Sequence, residues 1–191
     1  MAGLARGLAV LASAFWLVSG PASGMQTATN GYLTVKVSDD PAAVGGPGLF
    51  TVETGPLHPT PGKSIFYNSV ANQIGTSYIT VMDTDANTLW VNAVSNTTMV
   101  PSEAGYGVQR MGDYPVTLAA LGASGFRATY ILPKFTVIQD VVIMGTALMN
   151  TSVMHQVTVT NTSGSDLHFG VRYLWDWMVN AIDSSYFRPL N

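Results

Sequence analysis

The sequence predicts an all-β protein, an antiparallel β-sandwich, and three observations predict it. From Gly31 onwards apolar residues alternate at a period of two rather than three to four. Turn-forming clusters of Gly, Pro, Asn and Asp recur about every 8 to 12 residues, the spacing of a sandwich. No segment after the amino terminus carries a helical pattern, and no repeat of fixed length marks a propeller or a solenoid.

Taken in order, residues 32–38 alternate Leu33, Val35 and Val37 with Thr34, Lys36 and Ser38, a half-buried strand. Asp39-Asp40-Pro41 ends it, and Gly45-Gly46-Pro47-Gly48 makes a loop where helix would be costly. Residues 49–53 form a second strand and, after a proline-rich crossing at 55–62, residues 64–67 a third. Residues 77–82 run into Asp83-Thr84-Asp85-Ala86-Asn87 and return through 88–94 as a hairpin. Residues 96–113 are polar and aperiodic, which predicts a long surface loop. Strands resume at 116–120 and 126–132. Residues 135–144 are nearly continuous in β-branched side chains, as in a strand covered on both faces or bulged near Asp140. Two long strands follow, 153–161 and 166–177, joined by the polar turn Thr162-Ser163-Gly164-Ser165. Parity in the second places Leu167, Phe169, Val171, Tyr173 and Trp175 inward, as the packing spine of the sandwich. The total is about ten strands.

At the amino terminus, Arg6 precedes an apolar run at residues 8–18 and then Ser19-Gly20-Pro21-Ala22-Ser23-Gly24, with Ala22 and Gly24 suited to cleavage before Met25. Residues 1–24 thus read as a secretory signal peptide and residues 25–191 as one β-sandwich domain, or the N-terminal portion of a longer one. The apolar run is shorter than the roughly 20 residues that span a bilayer, and no later segment is long enough. The expected location is secreted, extracellular or at the cell surface.

Charged residues make up only 10% of the chain, so its surface is built largely from Ser, Thr, Asn and Gly. The 8 basic residues are scattered singly, which argues against nucleic-acid binding. The lack of cysteine excludes disulfides and thiolate metal sites. Asn96, Asn150 and Asn161 each open an N-glycosylation acceptor pattern.

Several groups are candidates for chemistry. Asp83, Asp85 and Asn87 have the spacing that opens a calcium loop, but Thr88 and Val94 stand where the required Gly and Glu would be, so an Asx-rich turn is expected. His58, His155 and His168 lack ligand spacing and are expected to be structural. Arg172 and Asp176, four apart, point to one strand face. They read either as a polar site completed by Asp183 and Arg188 from the following loop, or as an ion-paired rim that orders that loop. Trp175, Trp177, Tyr186 and Phe187 suit a sugar-stacking platform, with Tyr186 and Phe187 the freer of the four. No Gly-x-Ser-x-Gly elbow, phosphate loop or dinucleotide fingerprint is found.

The run from Val157-Thr158-Val159-Thr160-Asn161 through Asp166-Leu167-His168-Phe169-Gly170-Val171-Arg172-Tyr173 resembles the strand, Asn-Thr turn, strand unit of supersandwich domains of the galactose mutarotase type. It is also similar to exported prokaryotic surface proteins, where Arg172, Asp176, Met178 and Asp183 match and Trp177 replaces a Thr. The resemblance covers about the last 40 residues and implies a supersandwich-like fold. Mutarotase catalysis would need a histidine and glutamate pair, whereas Glu53 and Glu103 stand beside no histidine in the sequence, so no catalytic residue is carried over. The expectation is a non-catalytic module, structural or glycan-contacting, in an extracellular or cell-surface assembly. Its ligand-binding residues would be Arg172, Asp176, Asp183, Tyr186 and Phe187, with no metal or cofactor and with a glycan or neighbouring subunits as partners. The alternative is a carbohydrate-active enzyme, mutarotase-like or glycoside hydrolase-associated, or the N-terminal lobe of one.

Overall fold

The computed structural model describes residues 24–40, 46–67, 77–92 and 104–178, and the architecture below is that of these residues. In chain order the strands are β1 (Met25–Thr29), β2 (Leu33–Ser38), β3 (Phe50–Thr54), β4 (Tyr78–Asp83), β5 (Thr88–Val91) and β6 (Gly107–Arg110). They continue with β7 (Val116–Ala120), β8 (Gly125–Ile131), β9 (Phe135–Met144), β10 (Ser152–Asn161) and β11 (Phe169–Leu174). The only helical turns among the described residues are short 3-10 turns at Met111–Asp113 and Leu148–Asn150. The fold is thus an all-β sandwich. The predicted leader, apart from Gly24, lies outside the described residues, and β1 begins at the residue after the expected cleavage point.

Three sheets make two layers. One layer is the antiparallel meander β10-β9-β8-β7. The other consists of two smaller sheets, β1-β2-β3 and β11-β4-β5-β6, packed against different parts of the same meander face. Along β9 the inward residues divide between them. Val141 and Ile143, with Phe126 of β8, pack on Val35, Val37, Phe50 and Val52 of the three-stranded sheet. Phe135 and Val137, with Tyr130 of β8, pack on Ile79, Val81 and Trp90 of the four-stranded sheet. Each such fully buried side chain contributes about 1.5 to 3 kcal/mol by leaving water.

Midway between these groups, on the same inward face of β9, sits Gln139, 1% exposed. Its amide closes a buried polar knot at the seam of all three sheets. Gln139 Nε2 donates to the Gly48 carbonyl in the β2–β3 loop (2.7 Å), and Gln139 Oε1 accepts from Asn92 Nδ2 just past β5 (2.9 Å). Asn92 Oδ1 accepts from the Ile79 N–H (2.7 Å), and Tyr130 Oη accepts from Asn92 and donates to the Pro47 carbonyl. Gly48 adopts φ +91°, and a Cβ there would collide with Tyr130 Oη. Full burial therefore raises the Tyr130 hydroxyl far above its ordinary pKa.

Several expectations are met. β4 and β5 form the hairpin, with Asp83 opposite Thr88. Asp83 Oδ1 accepts from the N–H groups of Asp85 and Ala86, an Asx turn, and Asn87 takes the left-handed conformation at φ 48° that asparagine tolerates.

Others are corrected. Residues 64–67 form no strand but two isolated bridges, Glu53 to Ser64 and Phe66 to Trp177. Of the expected loop at 96–113, residues 96–103 lie outside the described residues, while Gly107–Arg110 becomes a strand parallel to β5. β9 has no bulge, since its register with β10 runs unbroken through Asp140 opposite Gln156. Asp140 points to the outer face and is held by Arg127 Nε and Nη2, each at 2.7 Å, so no extra residue is needed to redirect it.

The largest correction concerns the last two strands. β10 and β11 do not pair with each other: β10 pairs with β9 in one layer and β11 with β4 in the other. Nor is β11 a buried spine. Phe169 is 43% exposed, Tyr173 42% and Trp175 38%, with Val171 similar and Leu167 half-buried. Strand parity gives the side-chain direction, but β10 and β11 both lie at sheet edges, where no further strand among the described residues covers them.

Candidate functional site

The expected pair Arg172 and Asp176 is not assembled on one strand face. β11 ends at Leu174, and the chain then leaves its sheet. The Asp176 N–H donates to Ser77 Oγ (3.0 Å) while its carbonyl accepts from the Tyr67 N–H (2.7 Å). Trp177 bridges Phe66, and the Met178 N–H donates to the Ile65 carbonyl at 2.8 Å. The period of two therefore stops before it reaches Asp176. Residues 175–178 instead form a crossing that ties the four-stranded sheet to the edge of the three-stranded one.

Arg172 remains on β11 opposite Thr80, exposed beside a shallow groove lined by Met82, Leu89 and Gly170. Burial raises the Tyr78 hydroxyl above its ordinary pKa, and the nearby Arg172 charge opposes part of that rise. Among the described residues no ion pair joins Arg172 to Asp176, and the loop that an ion-paired rim would order lies outside the described residues. Asp183, Tyr186 and Phe187, with Arg188, lie outside the described residues.

The histidines have separate roles. His58 Nδ1 accepts from the Thr60 N–H (3.1 Å) and closes its own loop. His168 docks the β4–β5 turn: its N–H donates to Asp85 Oδ2 (2.8 Å), its ring nitrogen lies 3.1 Å from Asp85 Oδ1, and its carbonyl accepts from the Thr84 N–H. The backbone bond from His168, chiefly, holds the Asp85 carboxyl below its ordinary pKa. Asp83 also takes Lys134 Nζ at 3.3 Å. The carboxylates of the turn are thus occupied by backbone N–H groups, Lys134 and His168. The one glutamate among the described residues, Glu53, is paired with Lys36 at 2.7 Å.

His155 differs, because it is not the hydrogen-bonded residue expected of a strand histidine. Both ring nitrogens are sealed from solvent and have no hydrogen-bond partner. The imidazole packs edge-on against Phe50 (centroids 4.9 Å apart, 70°) and Tyr173 (5.0 Å, 83°), and nearly parallel to Trp175 (6.1 Å, 27°). Burial lowers its pKa to about 4, so it is neutral at pH 7. Phe66 and Trp177 continue the cluster at 4.9 Å and 77°, and Trp175 meets Trp177 at 5.3 Å and 66°. These rings come from both small-sheet edges, β10 and the crossing. The sequence carried a partial signal for them in the Trp175 and Trp177 pair, but none that linked it to Phe50, Phe66 or His155.

Fold and site together define a β-sandwich with an open, apolar sheet edge and a neutral aromatic cluster where three sheets meet. In comparisons with known proteins, the chain matches no family model, no curated protein and no solved structure.

Proposed function

We propose that the chain is an exported, non-catalytic β-sandwich that works by association, as a structural or glycan-contacting module of an extracellular or cell-surface assembly. The observation that carries this reading is β11. It is an edge strand whose outer side pairs with no strand among the described residues, and Phe169, Val171, Tyr173 and Leu174 are each more than a third exposed. Edge strands are normally blunted by charge, proline or a bulge, and β11 carries only Arg172. Strand addition along that side would pair its backbone groups and extend cover over those side chains. The leader pattern at residues 1–24 and the resemblance to exported prokaryotic surface proteins support the export and surface setting, and the exposed Tyr173 and Trp175 rings are available to stack on a sugar.

The test is self-association of the exported chain in sedimentation equilibrium, with Val171→Lys as the edge-blocking variant. The wild type is expected to form oligomers or filaments. Val171→Lys should weaken self-association at least tenfold and leave the melting temperature nearly unchanged, because Val171 is not in the core. A wild type that stays monomeric at high concentration and retains no glycan on an array would refute the association role. Turnover of any sugar substrate would refute the non-catalytic part.

A further inference from the structure

The aromatic cluster surrounds a cavity of about 200 Å³. Its floor is buried, with Phe50, Val52 and Phe66 each at most 5% exposed, and Trp175, the most exposed of its lining residues, stands at its wall. Among the described residues no charged side chain lines it. The polar atoms of His155 at its wall are shut away from solvent, so they offer no hydrogen bond to an occupant without rearrangement.

We propose that this cavity is a binding site for a small, neutral, single-ring aromatic molecule. Size supports the assignment: an apolar cavity of about 150 Å³ already admits benzene and stays dry without it. Wall chemistry supports it too. A sugar would have to leave its hydroxyls without partners against carbon walls, at roughly 1 to 3 kcal/mol for each one buried, and a charged ligand would fare worse. Ring geometry selects an aromatic occupant over an aliphatic one of equal volume. Phe50 meets Phe66 at 67°, Phe66 meets Trp177 at 77° and Trp175 meets Trp177 at 66°, so edges and faces already alternate around the void. A further ring extends the same edge-to-face packing. The site lies under the crossing at residues 175–178 and shares Trp175 with the glycan contacts of that reading, but none of its lining residues belongs to β11, so toluene binding and self-association through β11 can fail separately.

Toluene is the probe, titrated into the wild-type chain and followed by calorimetry, tryptophan emission and melting temperature. The expected result is saturable one-to-one binding that shifts the emission and raises the melting temperature by several degrees. Val153→Phe, which fills the cavity from β10, should weaken toluene binding at least tenfold while the circular dichroism spectrum is retained. Should Val153→Phe not fold, xenon binding to the wild type, read by NMR, replaces it, and occupancy next to Phe66 and Trp177 is the expected outcome. The proposal is overturned if neither toluene nor xenon binds saturably. It is also overturned if a folded Val153→Phe binds toluene as well as the wild type, or if methyl glucoside outcompetes toluene.

Discussion

Replacing Asn92 by leucine is expected to lower folding stability by about 4 kcal/mol, because it leaves buried polar groups on all sides without partners. The side chain is 2% exposed and serves three elements at once: it accepts from Ile79 of β4 and donates to Gln139 of β9 and Tyr130 of β8. Leucine has similar bulk, so the loss reports orphaned hydrogen bonds rather than a cavity. Urea denaturation measures it, and a change under about 1 kcal/mol, the net worth of one ordinary hydrogen bond, would show that the knot does not stitch the sheets. Gly48→Ala attacks the same knot from the β2–β3 loop. There the left-handed backbone and the collision with Tyr130 Oη act together, and the variant is expected to be recovered largely unfolded in expression and dichroism assays.

The second large effect is acid sensitivity at His155. Its folded pKa of about 4 lies below the ordinary value of 6.5, so between those pH values the unfolded chain binds a proton that the folded chain refuses. Stability is therefore full above pH 6.5 and falls as the pH drops towards 4. Allowing for partial solvent access, the loss is roughly 2 to 3 kcal/mol. The rings against His155 are Phe50, Tyr173 and Trp175, and no carboxylate is among them to offset the imidazolium charge. His155→Phe should flatten the pH dependence from 6.5 to 4, and the difference between the two proteins isolates the histidine from carboxylates such as Asp85, whose loss comes at lower pH. Parallel curves for wild type and variant would remove His155 as the cause.

Local chemistry made much of the fold legible in advance. Asp83 and Asn87 announce the β4–β5 turn because their side chains and backbone preferences act within five residues, and the alternation in β2 shows through directly, whereas the β-branched run of β9 hides an alternation of buried and half-buried residues that leaves one face, not two, fully covered. β1 was not legible because Met-Gln-Thr-Ala-Thr is mostly polar and buries only Ala28 fully, and β6 was not because Gly-Val-Gln-Arg is held by a parallel neighbour distant in sequence. The burial of β11 was misread for another reason. Alternation tells which residues share a face, but whether anything covers that face depends on strand order, which no local pattern encodes. The same holds for the site. Arg172 and Asp176 have strand spacing, yet the crossing interrupts the strand between them, while His155 and Phe50 meet only because three sheets converge.

That convergence also sets an order of events in folding. The meander from β7 to β10 is built from consecutive hairpins and can close quickly from local contacts. The knot and the crossing cannot: Gln139 must find Gly48, 91 residues away, and Asp176 must find Ser77, 99 residues away. Docking of both small sheets therefore waits on long loop closures, whose entropy is lost before their contacts form. The meander's inward row, including Phe135, Val137 and Val141, stands uncovered during that interval, making it the surface on which a chaperone or a premature neighbour would first act.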